Sequence, residues 1–122
     1  MANVINWFEI PVADFDRAVK FYTEVLDCKI STMDFGSLKM GTFPMDSVGV
    51  SGSLVAGAEY TPSPNGVVVY LNCGEDLAPA LSRVEGAGGK ILAEKKQITP
   101  EYGYMALFLD SEGNRLALHS HG

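Results

Sequence analysis

The sequence predicts an α+β fold: a single domain over residues 1–122, built of two tandem βαβββ modules whose strands form a cupped mixed β-sheet. Three observations carry the prediction. A strand-like stretch, an amphipathic helix and three further strand-like stretches occur in the same order twice. A displacement of 62 residues places Asp14 on Asp76, Phe15 on Leu77, Ala18 on Ala80 and Val19 on Leu81, and one of 61 places Lys29-Ile30 on Lys90-Ile91. The strands alternate apolar and polar residues, so each sheet covers one face with its helix and turns the other toward a shared concavity.

The elements follow in order. Asn6–Val12 reads as a strand with Phe8, Ile10 and Val12 on one face and Trp7, Glu9 and Pro11 on the other. Pro11 lacks an N–H and belongs at a strand end or edge. Asp14 is a helix N-cap, and Phe15, Ala18, Val19, Tyr22 and Leu26 give Asp14–Leu26 an apolar stripe. Strands are expected at Lys29–Met33 and Leu38–Phe43, joined by a turn at Asp34–Ser37. The loop Pro44–Gly49 has the makings of a lid or of a plain surface turn. It leads to a strand at Val50–Ala56, which closes module one at about residue 57. Gly57–Gly66, with Pro62, Pro64 and Asn65, is the linker. Module two runs from about residue 66 to 122. It opens with the strand Val67–Cys73 and a helix capped by Asp76, with Pro79 in the first turn. Ala87-Gly88-Gly89 ends that helix. Strands at Lys90–Glu94, Tyr104–Leu109 and Asn114–Ser120 complete the module. Asp110–Asn114 is a hairpin turn in which Gly113 and Asn114 tolerate positive φ.

Composition narrows the function. The chain is 47% hydrophobic and 20% charged, with a net charge of −6. Its acidic groups are scattered, and Lys95-Lys96 is the one basic cluster, which argues against nucleic acid. No apolar run reaches the length of a membrane span. The first residues have neither a basic region nor a long apolar core, so a cytoplasmic location is expected. Cys28 and Cys73 then read as reduced thiols. Gly86-x-Gly88-Gly89 follows a helix instead of opening one, so it is no phosphate loop.

Three segments in this order resemble the glyoxalase/bleomycin-resistance/dioxygenase superfamily of vicinal oxygen chelate proteins. They are Val12–Tyr22, Gly88-Gly89-Lys90-Ile91 and Asp110-Ser111-Glu112-Gly113-Asn114-Arg115. The resemblance covers the whole chain. Phe43–Asp46, Tyr60-Thr61-Pro62 and Leu118-His119-Ser120 are similar to a small bacterial branch labelled glyoxalase-related. The resemblance implies paired modules forming a cup, usually within a homodimer. It also implies, in catalytic members, a divalent metal held by His, Glu or Gln on the first and last strands of each module.

The ligand positions that the resemblance implies hold other residues here. Seven before Asp14 stands Trp7, and seven before Asp76 stands Val69. Four after Gly113 stands Ala117, and the Val50–Ala56 strand offers Ser51, Gly52 and Ser53. None of Trp7, Val69 and Ala117 supplies a metal donor. The sequence therefore predicts no cofactor and binding of a small organic molecule in the cup of a homodimer. Trp7, Met40, Ser53, Tyr102 and Met105 are the candidate ligand-binding residues, with Leu107 beside them. The alternative is a glyoxalase-related lyase, isomerase or dioxygenase-like enzyme. It would use Glu9 and His119, with or without zinc, nickel, manganese or iron. Glu9 at a sheet rim and His119 near the C-terminus also read as solvated residues without a role. His119 and His121 at i, i+2 form a further, weaker chelating pair.

Overall fold

The computed structural model describes residues 3–46 and 49–122. Its elements are β1 (Trp7–Pro11), α1 (Phe15–Leu26), β2 (Ser31–Asp34), β3 (Lys39–Thr42) and β4 (Ser51–Ala56), then β5 (Tyr70–Asn72), α2 (Ala78–Arg83), β6 (Lys90–Thr99), β7 (Gly103–Leu109) and β8 (Arg115–Ser120). They make two four-stranded sheets of matching order, β1-β4-β3-β2 and β5-β8-β7-β6. In each, the first strand runs parallel to the last and the remaining pairs are antiparallel. The doubled βαβββ order of the sequence is thus the order of the structure. Ser47 and Val48, in the middle of the expected lid, and Met1 and Ala2, in the stretch used to argue against a leader, lie outside the described residues.

Helix α1 starts where an acceptor is available. Asp14 is extended, at φ −113° and ψ 102°, and its carboxylate accepts from the Arg17 N–H at 3.1 Å. Asp27, at φ 49°, ends the helix in the left-handed region, which Asp tolerates better than most residues. Ala18, Phe21, Tyr22 and Val25 are buried at i, i+3, i+4, i+7 spacing. Helix α2 is only six residues long, and its cap differs from the one expected. The Leu77 carbonyl takes the first helical bond, from Leu81 N at 3.0 Å, while Asp76 accepts from Ala78 N at 2.9 Å one residue further out.

One core serves both modules. Tyr22 sets its ring edge against Phe43 at 5.6 Å, and the neighbouring Phe21 stacks on Phe108 of β7 at 6.1 Å. Helix α1 therefore touches both sheets. Phe8, Ile10 and Leu54 of the first sheet and Leu71, Phe108, Leu116 and Leu118 of the second point into this core. Gly52 faces it too. A Cβ there would stand 2.5 Å from the Phe8 carbonyl oxygen and 2.6 Å from the Phe8 ring, so β1 and β4 approach closely only because position 52 has no side chain.

The turn Asp110–Asn114 locks the modules together. Buried Asp110 accepts from the N–H groups of Glu112 and Asn114, from the Asn114 amide, and from the Tyr22 hydroxyl at 2.6 Å. Asn114 also donates to the Pro11 carbonyl and accepts from Ser63 N. Glu112 accepts from Ala13 N, Asp14 N and the Arg17 guanidinium. Every carboxylate here is met by donors, as burial requires. Gly113 takes φ 87°, so of the two residues that tolerate the positive region the turn uses the glycine and not Asn114.

Three strands differ from their expected bounds by two residues or more at one end. Strand β5 keeps only Tyr70–Asn72 of the expected Val67–Cys73, although Ala117 N still bonds the Val69 carbonyl. Strand β2 starts two residues later than expected. Strand β6 runs on to Thr99, past the charged Glu94–Lys96 where the sequence pattern breaks; register shifts along its pairing with β7 absorb the irregular alternation.

Candidate ligand site on the outer sheet faces

With one face of each sheet committed to the core, the other faces carry the chemistry. Strand register identifies their residues. In the first sheet Trp7 lies opposite Ser51, Glu9 opposite Ser53, Thr42 opposite Ser53, and Met40 opposite both Val55 and Met33. Trp7, Glu9, Met33, Met40, Thr42, Ser51, Ser53 and Val55 therefore share the outer face. In the second sheet Tyr70 lies opposite Ala117, Asn72 opposite His119, and Met105 opposite His119.

Ser53 sits at the middle of the first face, between Glu9 and Thr42, and is 0% exposed. Its hydroxyl is the one buried side-chain polar atom without a hydrogen-bond partner among the described residues. Ser51, two residues earlier, spends its hydroxyl on the carbonyls of Phe43 and Pro44. Around Ser53 the face is partly apolar and open: Trp7 is 39% and Met33 54% exposed, and Met40 is half-buried. Glu9 is held at the rim, where one carboxylate oxygen accepts from the Tyr60 hydroxyl at 2.9 Å. That bond to a carboxylate raises the Tyr60 pKa above its ordinary 10.0.

The expected residues thus fall into two groups. Trp7, Glu9, Met40 and Ser53 come together on the first sheet; Met105 and His119 come together on the second. Tyr102 reaches His119 through its backbone carbonyl, which accepts from the imidazole Nε2, and its ring is exposed. A carbonyl oxygen only accepts, so Nε2 is the donor in this contact. His119 also sets its ring edge toward His121 at 5.9 Å. No described hydrogen bond or ion pair joins Glu9 to His119.

The positions at which the resemblance implies a metal do not suit one. They hold the Trp7 indole, the Ala117 methyl and the Ser51 and Ser53 hydroxyls, a set without carboxylate or imidazole. On β5 the register moves the position by one residue. Tyr70, not Val69, lies opposite Ala117, and it stands seven residues before Leu77, from which the helix begins. A phenol replaces an isopropyl group there. Among the described residues no three His, Cys, Asp or Glu side chains cluster, and no helix is long and apolar enough to cross a membrane.

Three cavities border these faces. One of about 310 Å³ is bounded by β1, the linker and the start of β8. One of about 340 Å³ is lined by both cysteines, whose thiol pKa values burial pushes up. An open groove of about 630 Å³ lies between β1 and β5. Tyr60, Tyr70 and Asn72 are the site residues that sequence reasoning missed. Pairing register identifies the last two, and no local pattern identifies Tyr60.

A family model described as Glyoxalase/Bleomycin resistance protein/Dioxygenase superfamily matches residues 4–118. A glyoxylase-like domain-containing protein from Didymella fabae is 33% identical over 119 residues, which are 93% of this chain and 91% of that protein. A glyoxalase I variant from Zea mays superposes with a TM-score of 0.74 at 21% identity, covering 94% of this chain but only 45% of the plant chain. An antibiotic binding protein from Streptomyces sp. superposes with a TM-score of 0.73 at 23% identity, covering 98% of both chains. At these identities the two superpositions show a shared fold.

Proposed function

Because the chain belongs to the glyoxalase/bleomycin resistance protein/dioxygenase superfamily, we propose that it binds a small, partly apolar organic molecule on the outer face of its first sheet, without a metal. The reading rests above all on Ser53, a buried hydroxyl with no partner on a face that otherwise offers an indole, a thioether and a carboxylate at its rim. A ligand that hydrogen-bonds Ser53 supplies what the protein leaves unmade. Trp7 gives a flat surface for stacking, and Met40 adapts its shape to the ligand.

In this proposal a second copy of the chain closes the cup, bringing a face like that of Met105, Tyr70 and His119 opposite the first. The end-to-end superposition on an antibiotic binding protein supports a sequestering role. No catalytic step is assigned to Glu9 and His119, which lie on different sheets with separate partners.

The test is titration with antibiotics containing flat aromatic groups, bleomycin first, reading the emission of Trp7, the chain's one tryptophan. Saturable quenching that weakens in Ser53→Ala is expected. Quenching that is unchanged in Ser53→Ala, or no quenching with any compound, removes the proposal.

A further inference from the structure

The 310 Å³ cavity meets the Ser53 face at Glu9 but has a different character. Its floor is apolar: Phe8, Ile10 and Leu116 rise from the core, with Val67 and Val69 on one wall. At its rim stand two opposite charges, Glu9 on β1 and Arg115 at the start of β8. They are not paired with each other. Among the described residues the ion pairs are Arg17–Glu112 and Lys95–Asp76, and the Arg115 guanidinium donates no described hydrogen bond. Glu9 has one oxygen on the Tyr60 hydroxyl and its other without a described donor. Strand β1 is an edge strand, pairing only with β4, and Thr61 and Ser63 of the linker add polar groups on the same cavity.

The walls of this cavity are pre-formed. Asn114 ties the end of β1, through the Pro11 carbonyl at 2.8 Å, to the linker, through Ser63 N at 3.0 Å. That clamp joins the end of β1, the strand that carries Glu9, to the linker and to the residue before Arg115. A carboxylate and a guanidinium that line one apolar crevice without pairing match a molecule with an ammonium group, a carboxylate and an apolar side chain. The ammonium meets Glu9. The carboxylate meets Arg115, whose planar fork suits it. The side chain takes the floor. The volume is at the low end for ligand pockets and suits a small molecule.

We infer that this crevice is a second binding site, specific for small zwitterions of the amino-acid type with an apolar side chain. The site is independent of the reading given for Ser53, although Glu9 borders both.

The experiment is calorimetric titration of the full chain with L-phenylalanine, L-methionine and L-leucine. Phenethylamine and 3-phenylpropanoate, each keeping one of the two charges, serve as controls. At least one amino acid is expected to bind saturably, with each one-charge control about tenfold weaker or more, a loss of about 1.4 kcal/mol. Glu9→Gln and Arg115→Gln are each expected to weaken it about tenfold. Both side chains are exposed, so the variants fold, which an unchanged urea midpoint verifies. Ser53→Ala is expected to leave amino-acid binding intact, which separates this site from the antibiotic titration. No saturable binding of any of the three amino acids overturns the inference. So does a one-charge control that binds as tightly as the zwitterion, or an affinity unchanged in either variant.

Discussion

Replacing Ser53 by alanine is expected to stabilise the ligand-free protein and weaken its ligand binding together. The hydroxyl is fully buried and unpartnered. Burying such a group without a hydrogen bond costs about 1–3 kcal/mol in proteins. Its neighbours in register, Glu9 and Thr42, leave that cost in place, since neither bonds it. Ser53→Ala removes the penalty and loses only the contacts of one oxygen atom, a few tenths of a kcal/mol. The net gain is about 1 kcal/mol. A chain of 122 residues has an unfolding entropy near 0.26 kcal/mol/K, so 1 kcal/mol raises Tm by about 4 °C.

Binding moves the other way. A ligand that satisfied the hydroxyl loses a hydrogen bond worth about 0.5–1.5 kcal/mol, or roughly two- to twelvefold in affinity. The assays are urea denaturation for stability and Trp7 quenching for affinity. A Ser53→Ala protein that is less stable than the parent refutes the reasoning, because it shows that the hydroxyl has a partner in the folded state. Ser53→Val is a weaker probe, since its extra methyl groups add a packing cost of their own.

Three further outcomes are expected. Tyr22→Phe deletes the 2.6 Å bond to Asp110 across the modules and should cost about 2 kcal/mol while keeping a single unfolding transition; a loss under about 0.5 kcal/mol would show that the bond is not what joins them. Glu112 is raised by its burial but lowered more by the Arg17 hydrogen bond, the Asp14 N–H, Ser111 and the Ala13 N–H, so its folded pKa lies below its ordinary 4.5. The stability it contributes is present above the unfolded value and disappears as pH falls through the folded one. The stability gap between parent and Glu112→Gln should therefore narrow from pH 6 to pH 3, and a gap independent of pH would count against this electrostatic account. Finally, protein incubated with zinc, nickel, manganese or iron(II) and then dialysed should retain no stoichiometric ion. About one ion per chain by elemental analysis would mean that other residues build a metal site.

Much of the fold was legible because its signals are local. Asp14 reads as an N-cap from its side chain and the apolar stripe after it, and the structure caps α1 there. Asp110–Asn114 reads as a turn from composition alone. Module two is less legible for a reason that can be located. Asp76 resembles Asp14 in sequence, but it caps α2 from one position further out, and counting from it lands on Val69 instead of Tyr70. The ladder with β8 sets the face of β5, and that pairing is between residues nearly fifty positions apart.

The same limit governs the site. Trp7 and Glu9 could be placed on one face from strand alternation, a period-2 signal carried by a strand on its own, whereas Met40 and Ser53 join them only through the pairing register. Whether a hydroxyl on that face is satisfied is not such a signal. Ser51 and Ser53 have identical side chains with the same parity, two residues apart. Ser51 reaches the carbonyls of Phe43 and Pro44, which lie just past the end of β3 at Thr42; Phe43 N still bonds the Gly52 carbonyl at 3.0 Å, and the chain turns out of the ladder after it. Ser53 lies one pair further into the sheet, opposite Thr42, where β3 is still paired. Its hydroxyl meets no free carbonyl there. The unmet group is thus a consequence of where β3 stops, and the sequence alone puts that stop at Phe43, one residue further on. A substitution that shortened β3 would supply Ser53 with a free carbonyl and, on the reasoning above, take its hydroxyl out of ligand binding.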